Sequence, residues 1–391
     1  MNRFDFETVI DRRGSGSLKG TMTPEDFPGL GLANFWGAEF DFPSCPAFSR
    51  GVMDCARKGL YAFTLQTPEY NARIVWWMEH ARACSIQPEW IVPTHGTIYA
   101  LATAIRLFVG PGSHMLMLTP GYSRYAQAAT RLQRVCHACA LSYDAEAHRY
   151  SVDWEKLEQQ VSDPNCALLV ICQPNNPTGT VLTEQELRRI DQLARQYGTA
   201  VFCDEIFGEI SLTDHPVPSY AAIMTEDSPA MVCTSLGKCM SLTGVNHANL
   251  LIRNPSLRER YTRQKYADHY GSLDPMLYAG LMQAYSEEGL EWLKELLCVI
   301  RSNRNLFTEQ AEALFPGAHA VQAEGTYVVW MDYSDCGMTE EKLKSTFQKI
   351  RFLGDPGSEY GASDMFWRYS VAMPAAQIQR TMDWLRSQMQ V

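Results

Sequence analysis

The chain lacks any apolar run long enough to cross a bilayer, so no membrane partner is expected. It also lacks an excess of positive charge: 34 Lys and Arg stand against 44 Asp and Glu, a formal charge of −10. Without a basic footprint, nucleic acid and anionic membrane surfaces are not expected partners. The opening Met1-Asn2-Arg3-Phe4-Asp5-Phe6-Glu7 has none of the apolar core of a secretory signal, so a cytoplasmic location is expected. Paired metal-ligand spacings are missing too. Among twelve cysteines the only C-x-x-C is Cys136-His137-Ala138-Cys139, and no second, well-spaced pair completes a zinc set. Most others, such as Cys166, Cys172, Cys203 and Cys233, fall inside apolar runs, where cysteine packs as a small hydrophobe. Reduced thiols and no metal are expected. There is no internal repeat and no low-complexity linker.

What is present fits a large globular enzyme. At 391 residues, with 46% hydrophobic and 20% charged, the chain exceeds the usual size of one core, so two domains are expected. Between about residues 91 and 255, short apolar runs alternate with helical segments. The runs Met115 to Leu118, Arg134 to Leu141, Ala167 to Cys172, Ala200 to Ile206, Ala230 to Ser235 and Asn249 to Ile252 read as strands. Thr183-Glu184-Gln185-Glu186 is a capping box that opens a helix to about Gln196. Strands apolar on both faces and alternating with helices imply a mostly parallel sheet, covered on each side. Ligands then bind at the carboxyl ends of the strands. After residue 285 the order becomes a long amphipathic helix (Gly289 to Leu314), a strand (Thr326 to Met331), a helix (Glu340 to Ile350), a strand (Phe366 to Ala372) and a last helix (Ala375 to Met389). The expected fold class is α/β, with a large domain over 50–285 and a smaller α+β domain built from 1–49 and 286–391.

Four stretches carry chemistry. Lys238 lies just past the Ala230 to Ser235 run, in Ser235-Leu236-Gly237-Lys238, among small residues that let a ligand approach. Most lysines are solvated surface charges, but a desolvated one has a lowered pKa and forms Schiff bases with carbonyls. Asp204 is one of two acids that end the apolar strand in Val201-Phe202-Cys203-Asp204-Glu205-Ile206-Phe207, and an acid there can hold a cationic ring nitrogen. Asn175-Asn176-Pro177-Thr178-Gly179 follows another apolar strand. In Pro93-Thr94-His95-Gly96-Thr97-Ile98 a loop opens an apolar helix, so the backbone N–H groups of Gly96, Thr97 and Ile98 can cradle a phosphate.

This ordered set resembles the fold-type-I pyridoxal-phosphate enzymes, the class I/II aminotransferase family. Two arm segments, Gly14-Ser15-Gly16-Ser17-Leu18-Lys19 and Trp36-Gly37-Ala38-Glu39-Phe40-Asp41-Phe42, resemble one branch, the cystathionine β-lyase-like C–S lyases of the MalY/PatB type. Glu324-Gly325-Thr326-Tyr327-Val328-Val329-Trp330 and Arg368-Tyr369-Ser370-Val371-Ala372-Met373-Pro374 extend the likeness to the end of the chain. The resemblance implies pyridoxal 5′-phosphate as cofactor, held by Lys238, which also serves as the catalytic base. It implies Asp204 on the ring nitrogen, Asn176 on the ring oxygen, Tyr122 stacked on the ring and Ile206 packed against it. Ser235 joins the phosphate cradle, and Arg368 forks onto the α-carboxylate of an amino-acid substrate. It also implies a homodimer in which a tyrosine crosses to the neighbouring phosphate. Phe63 stands at that position, so either Tyr61, two residues away, takes over the role or the phosphate loses one partner.

The departures are specific. Phe207 replaces a ring-contacting tyrosine or histidine, Asn246-His247 stands where many relatives carry a phosphate-binding arginine, and Gly20-Thr21 replaces Trp-Asp. The expected activity is a C–S β-lyase releasing thiol, pyruvate and ammonia. An aminotransferase and a catalytically silent regulatory protein remain the alternatives.

Overall fold

The computed structural model describes residues 3–21, 23 and 31–389. The described strands run in chain order β1 (Ile91–Thr94), β2 (His114–Thr119), β3 (Val135–Ala140), β4 (Ser142–Asp144), β5 (Arg149–Ser151), β6 (Cys166–Cys172) and β7 (Ala200–Asp204). They continue with β8 (Ala230–Thr234), β9 (Ala248–Leu251), β10 (His319–Ala320), β11 (Val328–Asp332), β12 (Asp355–Pro356) and β13 (Phe366–Ser370). Seven of them form one sheet in the order β1-β9-β8-β7-β6-β2-β3. The pairs from β3 through β8 are parallel, while β9 is antiparallel to both β8 and β1.

Alternation along the central strands explains the two layers that cover this sheet. On β7, Val201 and Cys203 pack into one core with Trp77, Ile190 and Trp292. Ala200 and Phe202 face the other core, with Ile105, Met115 and Tyr261. Period-two geometry sends successive side chains to opposite faces, so an uninterrupted apolar run is required where helices cover both. Continuing to the end, the four strands β10-β11-β13-β12 form a separate sheet. Its own core gathers Phe307, Phe347, Tyr369, Met382 and, from the other end of the chain, Phe35.

Local signals place several boundaries as expected. The helix Glu184–Tyr197 begins at a complete capping box, with Thr183 accepting from the Glu186 N–H and Glu186 from the Thr183 N–H. It ends at Gly198, whose φ of 73° is the left-handed turn that glycine tolerates. The long helix spans Glu287–Leu314, capped by Ser286.

Three differences from the sequence reading have physical causes. β7 stops at Asp204 rather than Ile206, because residues 206–209 form a turn closed by Gly208 N–H to Glu205 O at 2.8 Å. β11 starts at Val328 rather than Thr326: Thr326 has a φ of +71° and its N–H leaves the sheet for Ile210 O. Ile91–Thr94, read only as the approach to a helix, is an edge strand paired with β9. Phe4, Phe6, Phe40 and Phe42 of the arm are buried in the large core.

The helices Pro46–Lys58 and Pro275–Ala284 touch through their backbones. A Cβ on Gly51 would lie 2.2 Å from the Ala279 carbonyl oxygen, and one on Gly280 would lie 2.6 Å from the Phe48 ring. Gly51→Ala should therefore overpack this contact and cost about 1–3 kcal/mol, read as a lower urea midpoint at unchanged slope. An unchanged midpoint would show that the helices separate freely.

Candidate active site

The carboxyl ends of the parallel strands open into a cleft of about 1240 Å³, which the arm and the small sheet close from the other side. Lys238, Asp204, Asn176, Tyr122, Gly96, Thr97, Ile98, Ser235, Ile206 and Arg368 all line it. Tyr61 does not: it sits with Leu60 and Phe63 on an exposed loop, with 59% of its surface accessible.

Register sets the relation of acid to lysine. Asp204 is the last residue of β7, paired across to Cys172 on β6 and Cys233 on β8. β8 then runs through Thr234 and Ser235 into a single helical turn, Leu236–Lys238. Burial pushes the Asp204 carboxyl up to about 6, against hydrogen bonds from the Tyr125 hydroxyl (2.5 Å) and the Ile206 N–H (3.1 Å) and the attraction of Lys238. Burial likewise lowers Lys238 to about 8, with the Arg368 charge acting in the same direction and Glu39 and Asp204 opposing it. The amine donates to the Ala38 carbonyl at 2.6 Å, an oxygen that also accepts from Tyr327 Oη at 2.9 Å. It lies 5.7 Å from the Phe207 ring centroid, so the residue that cannot donate a hydrogen bond is an apolar neighbour of the lysine.

The loop after β6 is fixed by its own side chains. Asn175 Oδ1 accepts from both the N–H and the hydroxyl of Thr178. Gly179 is required twice, by its φ of +71° and by the approach of Ala323 and Gly325, whose atoms would lie 2.4 and 2.9 Å from a Cβ. Its carbonyl accepts from the N–H groups of Glu324 and Gly325, so the Asn-Pro-x-Gly and Glu-Gly-Thr-Tyr motifs pack on each other. Asn176 Oδ1 accepts from Arg368 Nη1 at 3.0 Å, which leaves its amide N–H groups as the end available to a ligand.

At the opposite end, Gly96 opens the helix Thr97–Phe108 with no side-chain cap. The first N–H groups of that helix thus have no intrahelical acceptor, and together with the helix dipole they suit an anion. Ser235 is nearby, but its hydroxyl donates to the His247 carbonyl at 2.7 Å and its oxygen receives the Gly237 N–H at 3.0 Å. Reaching a phosphate would require that hydroxyl to turn from His247. Burial lowers His247 to about 3, so its imidazole is neutral and does not replace the missing arginine's charge.

Two site residues had not been singled out. Tyr125 bonds Asp204, and its signal was present, three residues after Tyr122 in the same loop-to-helix stretch. Asp355 bonds Arg368 and faces it across the β12–β13 ladder, a register invisible along the chain.

The family model for aminotransferase class I and II matches residues 56–385. The chain belongs to that family. Within it, the chain is similar to the cystathionine β-lyase PatB of Bacillus subtilis (strain 168), 24% identical over 379 residues, covering 96% of this chain and 97% of PatB. Protein MalY of Escherichia coli (strain K12) is also 24% identical, over 381 residues and 96% of each chain. Among solved structures, cystalysin from Treponema denticola, which contains a pyridoxal 5′-phosphate cofactor, superimposes with a TM-score of 0.92 at 26% identity over 99% of each chain. This chain shares the family's α/β fold, with its mostly parallel central sheet.

The lowered pKa makes Lys238 testable directly. Labelling by a small aldehyde and borohydride, mapped by peptide analysis, should rise as pH passes about 8, because the neutral amine is the nucleophile. Labelling at this position that rises only near the ordinary lysine value of 10.5 would contradict the desolvated site.

Proposed function

We propose that this protein is a pyridoxal-phosphate-dependent C–S β-lyase that converts cystathionine or a cysteine S-conjugate, with water, into a thiol, pyruvate and ammonia. The observation that carries the reading is the convergence of Lys238, Asp204, Asn176 and Arg368 on one cleft, in a chain that aligns over nearly its full length with named cystathionine β-lyases.

The donor set fits the cofactor. A buried carboxylate with a raised pKa and no adjacent cation bonded to it suits a protonated pyridine nitrogen. The uncapped helix at Gly96, Thr97 and Ile98 suits a phosphate. Tyr122 and Ile206 supply apolar surface for the ring, and the Asn176 amide can donate to the ring oxygen. When bound, pyridoxal phosphate supplies an electron sink for the carbanion that develops at the substrate α-carbon.

The chain's own groups then divide the work. Lys238, neutral above about pH 8, is the residue that holds the cofactor and, once freed, takes the α-proton. Its bond to the Ala38 carbonyl fixes where the amine rests. Arg368 presents its remaining N–H groups to the α-carboxylate, which orients the Cα–H bond toward the base. The thiol leaves from Cβ, and the apolar arm and small domain limit water at the site.

The assembly belongs to the same reading: a cytoplasmic homodimer. The loop with Leu60, Tyr61, Phe63 and Leu65 exposes 59–95% of these apolar side chains, an arrangement suited to burial against a second copy, where Tyr61 would meet the neighbouring phosphate. No described helix is long and apolar enough to cross a membrane.

The test is to supply L-cystathionine, L-cystine and S-alkyl cysteines without any keto acid and to follow pyruvate and free thiol. Sustained, multiple-turnover release of both is expected, and Lys238→Ala should abolish it. Steady amino-group exchange with an added keto acid, and no cleavage of any thioether, would replace the lyase by an aminotransferase.

A further inference from the structure

Arg368 does not meet an incoming carboxylate with an unopposed charge. Its Nε and Nη2 donate to one oxygen of Asp355, at 3.0 and 2.7 Å. That same oxygen receives the Gly37 N–H of the arm at 3.1 Å, and Arg368 Nη1 donates to Asn176. Both partners of the pair are buried, Asp355 at 2% and Arg368 at 3% exposure, and both line the cleft. The guanidinium also lies over the Tyr360 ring, 4.8 Å from its centroid.

Counting donors separates geometry from charge at this point. A guanidinium has five N–H groups. Three are engaged here, so one remains on each terminal nitrogen, enough for a carboxylate. The charge, however, is already balanced by Asp355. The other charged groups of the cleft include Glu39, Asp204, Lys238, Arg124 and the exposed Glu359, and none of them is hydrogen-bonded to the pair.

We propose that Asp355 is a specificity-determining residue that neutralises the carboxylate subsite and thereby keeps 2-oxo acids from occupying the resting, cofactor-loaded site in competition with amino acids. An amino acid is held at two points, by its carboxylate at Arg368 and by its amine at the cofactor. A 2-oxo acid has no amine to offer the resting, cofactor-loaded site, so there it depends on the carboxylate contact alone. A like charge within about 4–6 Å of an anion's site weakens its binding by roughly one to three decades. Pyruvate, formed when the eliminated enamine takes up water, therefore competes poorly for the site as it accumulates. This inference rests on the lyase reading above and specifies how the same site stays open to amino acids while a 2-oxo acid accumulates.

Asp355→Asn isolates the charge, because the amide oxygen can still accept from Gly37 and Arg368. The measurement is calorimetric titration of the cofactor-loaded protein with pyruvate and with pyruvamide, which lacks the carboxylate charge. The wild type should prefer pyruvate by less than about tenfold, and Asp355→Asn should bind pyruvate roughly tenfold or more tightly than the wild type with pyruvamide unchanged. Unchanged or weaker pyruvate binding in a folded Asp355→Asn overturns the proposal. Should the variant not fold, a wild-type preference for pyruvate well above tenfold overturns it equally, since that requires an unopposed charge on Arg368. Absence of pyruvate release from thioethers by the wild type would instead defeat the lyase reading, and leaves these binding constants to be read on their own.

Discussion

Desolvation of two ionisable groups at the ends of neighbouring strands is the constraint on which the rest depends. Asp204 and Lys238 are each driven toward the neutral form, the acid to about 6 and the amine to about 8. A carboxyl raised from 3.8 in the folded chain binds its proton more tightly there than in the unfolded chain. Its burial therefore lowers stability as pH rises from about 4 to 6, by about 3 kcal/mol in all. A cation bound at Asp204 would offset that cost. The same desolvation makes Lys238 an amine that is nucleophilic and basic near neutral pH, where an ordinary lysine is an inert cation.

Keeping the two groups dry falls to segments far away in the chain. The arm brings the Ala38 carbonyl to Lys238 and the Gly37 N–H to Asp355. It is itself anchored by Arg12, which bonds Glu39 and Asp41, and by Lys19 on Asp41. The four-stranded sheet contributes Arg368, and the Gly325 backbone beside it packs on Gly179. Three separate pieces of chain therefore meet at the cleft that opens at the ends of the parallel strands. Phe40 and Phe207 both pack on Tyr327, so apolar rings separate this junction from solvent.

Much of this was legible along the chain. Uninterrupted apolar runs such as Leu168 to Ile171 marked the strands of the parallel sheet, and the polar residue that ended each run marked the side of the sheet that binds ligands. Thr183 with Glu186 located a helix start to the residue. Where local preference met a tertiary competitor, the reading failed: Thr326 has strand propensity, but its N–H is taken by Ile210, and Ile206 is turned away from β7 by the Glu205 to Gly208 turn. The arm's phenylalanines carry no period, so nothing local announced that they enter the core.

The amino-acid sequence alone determined the layered α/β architecture and the identity of the reactive groups, because period, turn chemistry and strand-end polarity are local properties. Only the tertiary structure decided the state of those groups. How far Lys238 and Asp204 are shifted depends on the solvent excluded around them by Tyr125, Phe207 and the arm. That Arg368 is already balanced by Asp355 depends on a ladder register between β12 and β13. Charge and hydration are fields summed over neighbours, and neighbours in space are not ordered along a chain.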